Sequence, residues 1–229
     1  MKTVLCLHGY TQNGSLFARK ASAIRKALAK AGYESYFLSG PISVSPSDLD
    51  FAVEEGASDM LSWWPTNEHD PKYYKLGDAF QTIKDAVETA GPFEGVLGFS
   101  QGAGLAAVVT RHLPELVPSH PPLKFAVLYS GFKLKPEEYA HFYDPKLSTP
   151  SLHVIGTLDT IVSEERSMAL YDACENPQIL KHPGGHYVPS QKPVVEAVMA
   201  FIKSTESPLS PSDEDSASDW DQFDKIGGN

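Results

Sequence analysis

The chain has 229 residues, 41% of them hydrophobic and 21% charged, which suits one α/β domain with a full core, and its formal net charge is −10. Seven acidic side chains against one lysine lie in residues 205–229, so the charge belongs mostly to the C-terminal stretch, and no basic patch is present to meet a nucleic-acid backbone. With no apolar run near the roughly 18 residues of a membrane span, and only Cys6 and Cys174 as cysteines, the expectation is a soluble, reduced protein of the cytoplasm, with the nucleus also open to it.

"TVLCLHG" (3–9) is a short apolar run closed by a glycine turn, the pattern of a buried parallel strand. A helix follows, with Phe17, Ile24, Leu28 and Ala31 on one face and Gly32 as its stop. "YESYFLS" (33–39) reads as a second strand. Residues 41–76 are irregular and resemble a cap-like insertion. Phe80, Ile83 and Val87 mark the next helix, ended by Gly91-Pro92. "FEGVLGF" (93–99) is a strand with the helix "QGAGLAAVVTRHL" directly behind it. "KFAVLYSGF" and "SLHVIGTLD" are further strands, and Ser163 caps a helix through Met168, Leu170 and Tyr171. "QILKHPGGH" is the last strand and its loop; Val194, Val198, Phe201 and Ile202 line the final helix. Alternating strands and helices of these lengths predict a mainly parallel central sheet with helices on both faces, in one domain over 1–204. Residues 205–229, rich in Ser, Pro and Asp, read as a disordered acidic tail.

Ligands of such sheets bind beyond the carboxyl ends of the strands. The residues placed there are His8-Gly9-Tyr10, Ser100, Asp159 and His186. Ser100 stands between Gly98 and Gly102 on a strand-to-helix turn, where small neighbours let a hydroxyl project and the helix start faces a developing oxyanion. A hydroxyl needs a base, and the base an orienting acid. His186, in "HPGGHYVP", is free to return over the sheet; His182 lies four residues away, but "PGG" between them rules out a helical metal pair. His69, His112, His120 and His141 read as surface or packed histidines, His8 as part of its turn, and His153 as a strand residue. Asp159 is the acid, because Glu164, Glu165 and Asp172 fall on the next helix. The amides of Gln101 and Tyr10 are the expected oxyanion donors, with Gly9 allowing a close approach.

"LCLHGYTQNGSLFARKASAIRKAL", "GPFEGVLGFSQGA" and "HPGGHYVP" resemble the FSH family of small serine hydrolases, a branch of the α/β-hydrolases, over about residues 1–203. The resemblance places its triad on Ser100, Asp159 and His186, and implies carboxylesterase or thioesterase activity on acyl esters. With no second domain to hold a cofactor and no helical histidine pair for a metal, neither a cofactor nor a metal is expected. The resemblance is distant over 41–76, where Trp63, Trp64, Tyr73 and Tyr74, with Phe51, either line an apolar acyl pocket or simply cover the sheet edge. "GVLGFSQGAG" lacks the spacing of a dinucleotide turn. The other global reading is a catalytically silent α/β-hydrolase scaffold used for binding. For the tail, Trp220 and Phe223 amid serines and carboxylates suggest either docking to a protein partner or a solvating extension.

Overall fold

The computed structural model describes residues 2–49, 59–65, 76–135 and 137–206. Phe51, Tyr73, Tyr74 and the tail from 207, including Trp220 and Phe223, lie outside the described residues. Six strands form one all-parallel sheet: β1 (Lys2–Leu7), β2 (Tyr33–Leu38), β5 (Gly95–Phe99), β6 (Phe125–Tyr129), β7 (Ser151–Gly156) and β8 (Pro177–His182). Two two-residue strands, β3 (Ile42–Ser43) and β4 (Leu61–Ser62), pair antiparallel within the stretch read as irregular. The helices are α1 (Gly14–Lys20), α2 (Ser22–Lys30), α3 (Gly77–Ala90), α4 (Gln101–Leu116), α5 (Glu164–Tyr171) and α6 (Lys192–Ser204).

The order across the sheet is β2-β1-β5-β6-β7-β8. The chain steps from β1 to β2 on one side, then returns to β5 on the other, so the strand order reverses between β1 and β5. A crevice opens at such a reversal, beyond the carboxyl ends of the strands. The turns Gly9-Tyr10 and Ser100 stand there.

Each strand offers alternate side chains to the two faces. Leu5, Leu7, Val96, Ala126 and Leu128 pack with α3, α4 and Leu170 of α5, while Val4, Cys6, Leu97, Phe99, Val127 and Tyr129 pack with α1, α2 and α6. The central strands β5 and β6 are buried along their whole length, which is why they read as continuous apolar runs. The helix expected from Phe17 to Ala31 is broken at Ala21, whose ψ of 20° ends α1 and starts α2. The break seats Phe17 edge-on against Phe37, 5.5 Å between ring centroids, while Ile24 and Leu28 still reach the same face of the sheet. Asn13 caps α1 by accepting the Leu16 amide at 2.8 Å, and Ser163 caps α5 by accepting that of Arg166 at 3.4 Å. No helix among the described residues is long and apolar enough to cross a membrane.

Three buried histidines tie the acid stability of the fold to their neutral forms. His8 is held in a single tautomer: its Nδ1–H donates to the carbonyl of Gly9 at 2.8 Å, and its Nε2 accepts the Gly40 amide at 2.8 Å. Burial pushes His8 down to about 4, against the hydrogen bond to Gly9, and burial also pushes His153 down to about 4. His182, at the end of β8, is lowered by burial against the pull of Asp159. A histidine whose folded value lies below its unfolded value near 6.5 gives stability that is complete above that pH and lost as pH falls towards the folded value. Between pH 6.5 and 4, where the unfolded chain protonates these two histidines and the fold keeps them neutral, stability should fall by roughly 3 kcal/mol each. Urea unfolding at pH 7 and at pH 4.5 measures this; an unchanged midpoint would contradict the buried neutral imidazoles.

Candidate active site

Ser100 joins β5 to α4 with φ 53° and ψ −118°, a conformation that costs a non-glycine residue free energy and persists only where its surroundings enforce it. They do so from both sides. Its amide donates to the carbonyl of Tyr129 on β6 at 2.9 Å, and its carbonyl accepts the amides of Ala103 and Gly104 in the first turn of α4. The flanking glycines have a steric cause. A Cβ on Gly98 would run into the backbone of Gly102, and one on Gly102 would run into the carbonyls of Leu7 and His8. The start of α4 therefore lies directly on the end of β1, and the serine is turned out of the sheet.

His186 comes from the loop between β8 and α6. The loop after β7 is joined to it by two hydrogen bonds, from Thr157 N–H to the His182 carbonyl at 2.9 Å and from Leu158 N–H to the Gly184 carbonyl at 3.0 Å. This pairing brings Asp159 beside His186. His186 Nδ1–H donates to Asp159 Oδ2 at 2.7 Å, and Nε2 stands 3.0 Å from Ser100 Oγ, placed to accept its proton. The imidazole also leans on Phe99, 4.8 Å between centroids. The three residues picked out in the sequence thus form one continuous hydrogen-bonded chain.

The carboxylate of Asp159 is 1% exposed and fully engaged. Oδ1 accepts the amides of Ile161 and Val162 at 2.9 Å each, and Oδ2 accepts Ser130 Oγ–H at 2.8 Å as well as the imidazole. Burial by itself would raise the Asp159 carboxyl; the Val162 amide, His186 and Ser130 outweigh it and hold the group below its ordinary value, so the acid stays ionised. Ser130 was not singled out in the sequence. The only signal for it is a Ser-Gly pair directly after an apolar strand, echoing the Ser-Gln-Gly after β5.

The two expected oxyanion donors border the same crevice. Gln101 opens α4, and a Cβ on Gly9, next to Tyr10, would lie 3.4 Å from that of Ser100. Among the described residues no backbone carbonyl takes the amide of Tyr10 or Gln101. The side chain of Gln101 also holds the tryptophan pair in place, since Oε1 accepts the Trp63 amide at 2.9 Å and Nε2–H donates to the Trp64 carbonyl at 3.0 Å. Trp63 and Trp64, considered above for a pocket wall, are 0% and 1% exposed. Trp63 Nε1–H donates to the His8 carbonyl at 2.8 Å, its indole lies 5.0 Å from the His8 ring, and both indoles belong to the core between the sheet, α3 and α4. Those contacts are packing contacts. The large hydrophobic residues left exposed among the described residues are Leu158, Ile161, Ile179 and Tyr187; three of the four flank Asp159 or His186.

A family model described as serine hydrolase (FSH1) matches residues 1–198. The Family of serine hydrolases 3 protein of Saccharomyces cerevisiae is 34% identical over 90% of this chain and 85% of its own length. The Esterase OVCA2 of Danio rerio is 34% identical over 87% of this chain and 96% of its own. A Schizosaccharomyces pombe protein named dihydrofolate reductase is 36% identical over 88% of this chain but only 47% of its own, so the chain spans about half of that relative. In fold, the chain is similar to Arabidopsis thaliana SOBER1, with a TM-score of 0.62 at 21% identity over 90% of this chain and 99% of that one. With esterases and a thioesterase among such neighbours, the fold is that of the α/β-hydrolases.

Proposed function

The chain belongs to the FSH1 family of serine hydrolases, and on that premise we propose that it cleaves carboxylic acyl esters or thioesters through Ser100, His186 and Asp159. The observation that carries this reading is the hydrogen-bonded line from Ser100 Oγ through the His186 ring to the buried Asp159 carboxylate, 3.0 Å and 2.7 Å long. Ser100 Oγ attacks the acyl carbonyl while His186 Nε2 takes its proton. The tetrahedral oxyanion is met by the amides of Tyr10 and Gln101 and by the positive end of α4. Collapse breaks the bond to the alcohol or thiol, which leaves with the proton from His186, and the acyl group remains on Ser100. Water then attacks, again losing its proton to Nε2, and the acid departs. Asp159 keeps Nδ1 protonated throughout, so that Nε2 is the free base, and it stabilises the imidazolium that forms in each half-reaction. The exposed Leu158, Ile161 and Tyr187 beside the acid and the base favour an apolar substrate.

A fluorophosphonate probe tests the reading. Labelling should be abolished by Ser100→Ala and greatly weakened by His186→Ala. A wild-type protein that takes no label would favour the silent scaffold instead.

A further inference from the structure

Two neighbouring strands of the sheet end in the same unusual way. β5 runs into Ser100 at φ 53°, and β6 runs into Ser130 at φ 46°. Each donates its amide across to the next strand, Ser100 to Tyr129 and Ser130 to Val154, both at 2.9 Å. The first turn holds the nucleophile. We propose that the second, Ser130, is a positioning residue for the same reaction, its hydroxyl fixing the carboxylate of Asp159 in the orientation that keeps His186 directed at Ser100. The proposal rests on the triad reading above and deepens it.

The backbone conformation of Ser130 is one that glycine adopts freely and that side chains adopt under strain. Gly131 follows immediately, yet the strained position itself carries a serine, 2% exposed, with its hydroxyl 2.8 Å from Asp159 Oδ2. The turn is also anchored on its far side, where the Gly131 carbonyl accepts Ser167 Oγ–H of α5 at 2.9 Å. Ser130 is therefore a fixed point of the sheet.

Asp159 is not fixed in that way, because it rides the loop after β7. Its Oδ1 is held by amides two and three residues ahead in the same loop, so those bonds move with it. Oδ2 has two partners from elsewhere in the fold, His186 and Ser130. The imidazole must turn its other nitrogen from Ser100 to the leaving group and to water during each cycle. Ser130 is thus the partner of Oδ2 that stays still while the imidazole works. Preorganised dipoles of this kind act on the rate rather than on ground-state binding, because they spare reorganisation in the transition state.

Four proteins test the proposal: Ser130→Ala, Ser130→Gly, Asp159→Asn and Ser130→Ala with Asp159→Asn, assayed with one activated ester. Ser130→Ala should lower kcat about 10-fold with KM unchanged. Ser130→Gly relieves the positive φ, which offsets part of the lost hydrogen bond to the carboxylate, and it should lose kcat to the same degree. It also keeps the test open should the alanine variant fold poorly. In the Asp159→Asn background the loss of the Ser130 hydroxyl should change kcat by less than about twofold, since the residue acts through the carboxylate. A wild-type kcat in Ser130→Gly, or an undiminished 10-fold loss in the Asp159→Asn background, would overturn the proposal while leaving the triad standing. A wild-type kcat in Asp159→Asn itself would overturn the triad reading, and the role of Ser130 with it.

Discussion

Alanine at Ser100 or at His186 is expected to lower kcat/KM for an activated ester by about 10⁵-fold or more, and alanine at both to lower it little further. In the proposed mechanism Ser100 supplies the electron pair and His186 removes the proton that otherwise blocks it, so either loss ends the same step. The 3.0 Å approach of Nε2 to Oγ is what couples them. On the proposed mechanism the residual rate belongs to the amides of Tyr10 and Gln101 and to substrate binding, which neither substitution touches. Single and double variants assayed under one set of conditions give the answer. Losses that multiply would mean two independent contributions and would separate the serine from the imidazole.

Asp159→Asn is expected to cost about 10⁴-fold in kcat while leaving the fold intact. The amides of Ile161 and Val162 both point at Oδ1, so an asparagine there turns its own oxygen towards them. Its NH2 then faces His186 Nδ1 and Ser130. A donor facing Nδ1 makes that nitrogen the acceptor and moves the ring proton to Nε2, where it meets the Ser100 hydroxyl. The imidazole is then no longer a base towards the serine. The depressed titration of Asp159 carries a pH consequence of its own: its folded value lies below the unfolded one, so its contribution to stability is present above the unfolded value and lost as pH falls through the folded one. That loss comes on the acid side of the His8 and His153 window. An Asp159→Asn protein with wild-type kcat would remove the acid from the mechanism.

The features that reached the sequence clearly are those with a strict local cause. Gly98 is demanded by the contact of β5 with the start of α4 and Gly102 by that of α4 with the end of β1, and continuous apolar runs at β5 and β6 follow from burial on both faces. Strand ends could therefore be located, and Ser100, Asp159 and His186 with them. What stayed hidden depends on pairing across the chain. The β3–β4 pair has two residues in each strand, too short for any period, and it exists because of partners such as the Gln12 carbonyl, which takes the Leu61 amide at 2.9 Å. The break at Ala21 leaves no trace in a run that is helix-forming on both sides. Trp63 and Trp64 read equally as a pocket wall or as cover for the sheet edge, because what holds them, the His8 carbonyl and the Gln101 side chain, comes from other parts of the chain. Ser130 carries no local mark of its place, because its contact with Asp159 exists only when the loop after β7 folds against it.

The most direct test is to find the acyl group on the enzyme. The protein is mixed with a p-nitrophenyl ester, quenched in acid within the first turnover, and its intact mass and peptides are measured. The expected result is a burst of nitrophenol matched by one acyl mass on the peptide that holds Ser100, absent in Ser100→Ala. Turnover with the acyl group on another residue, or with none on the protein at any time, would contradict nucleophilic attack by Ser100.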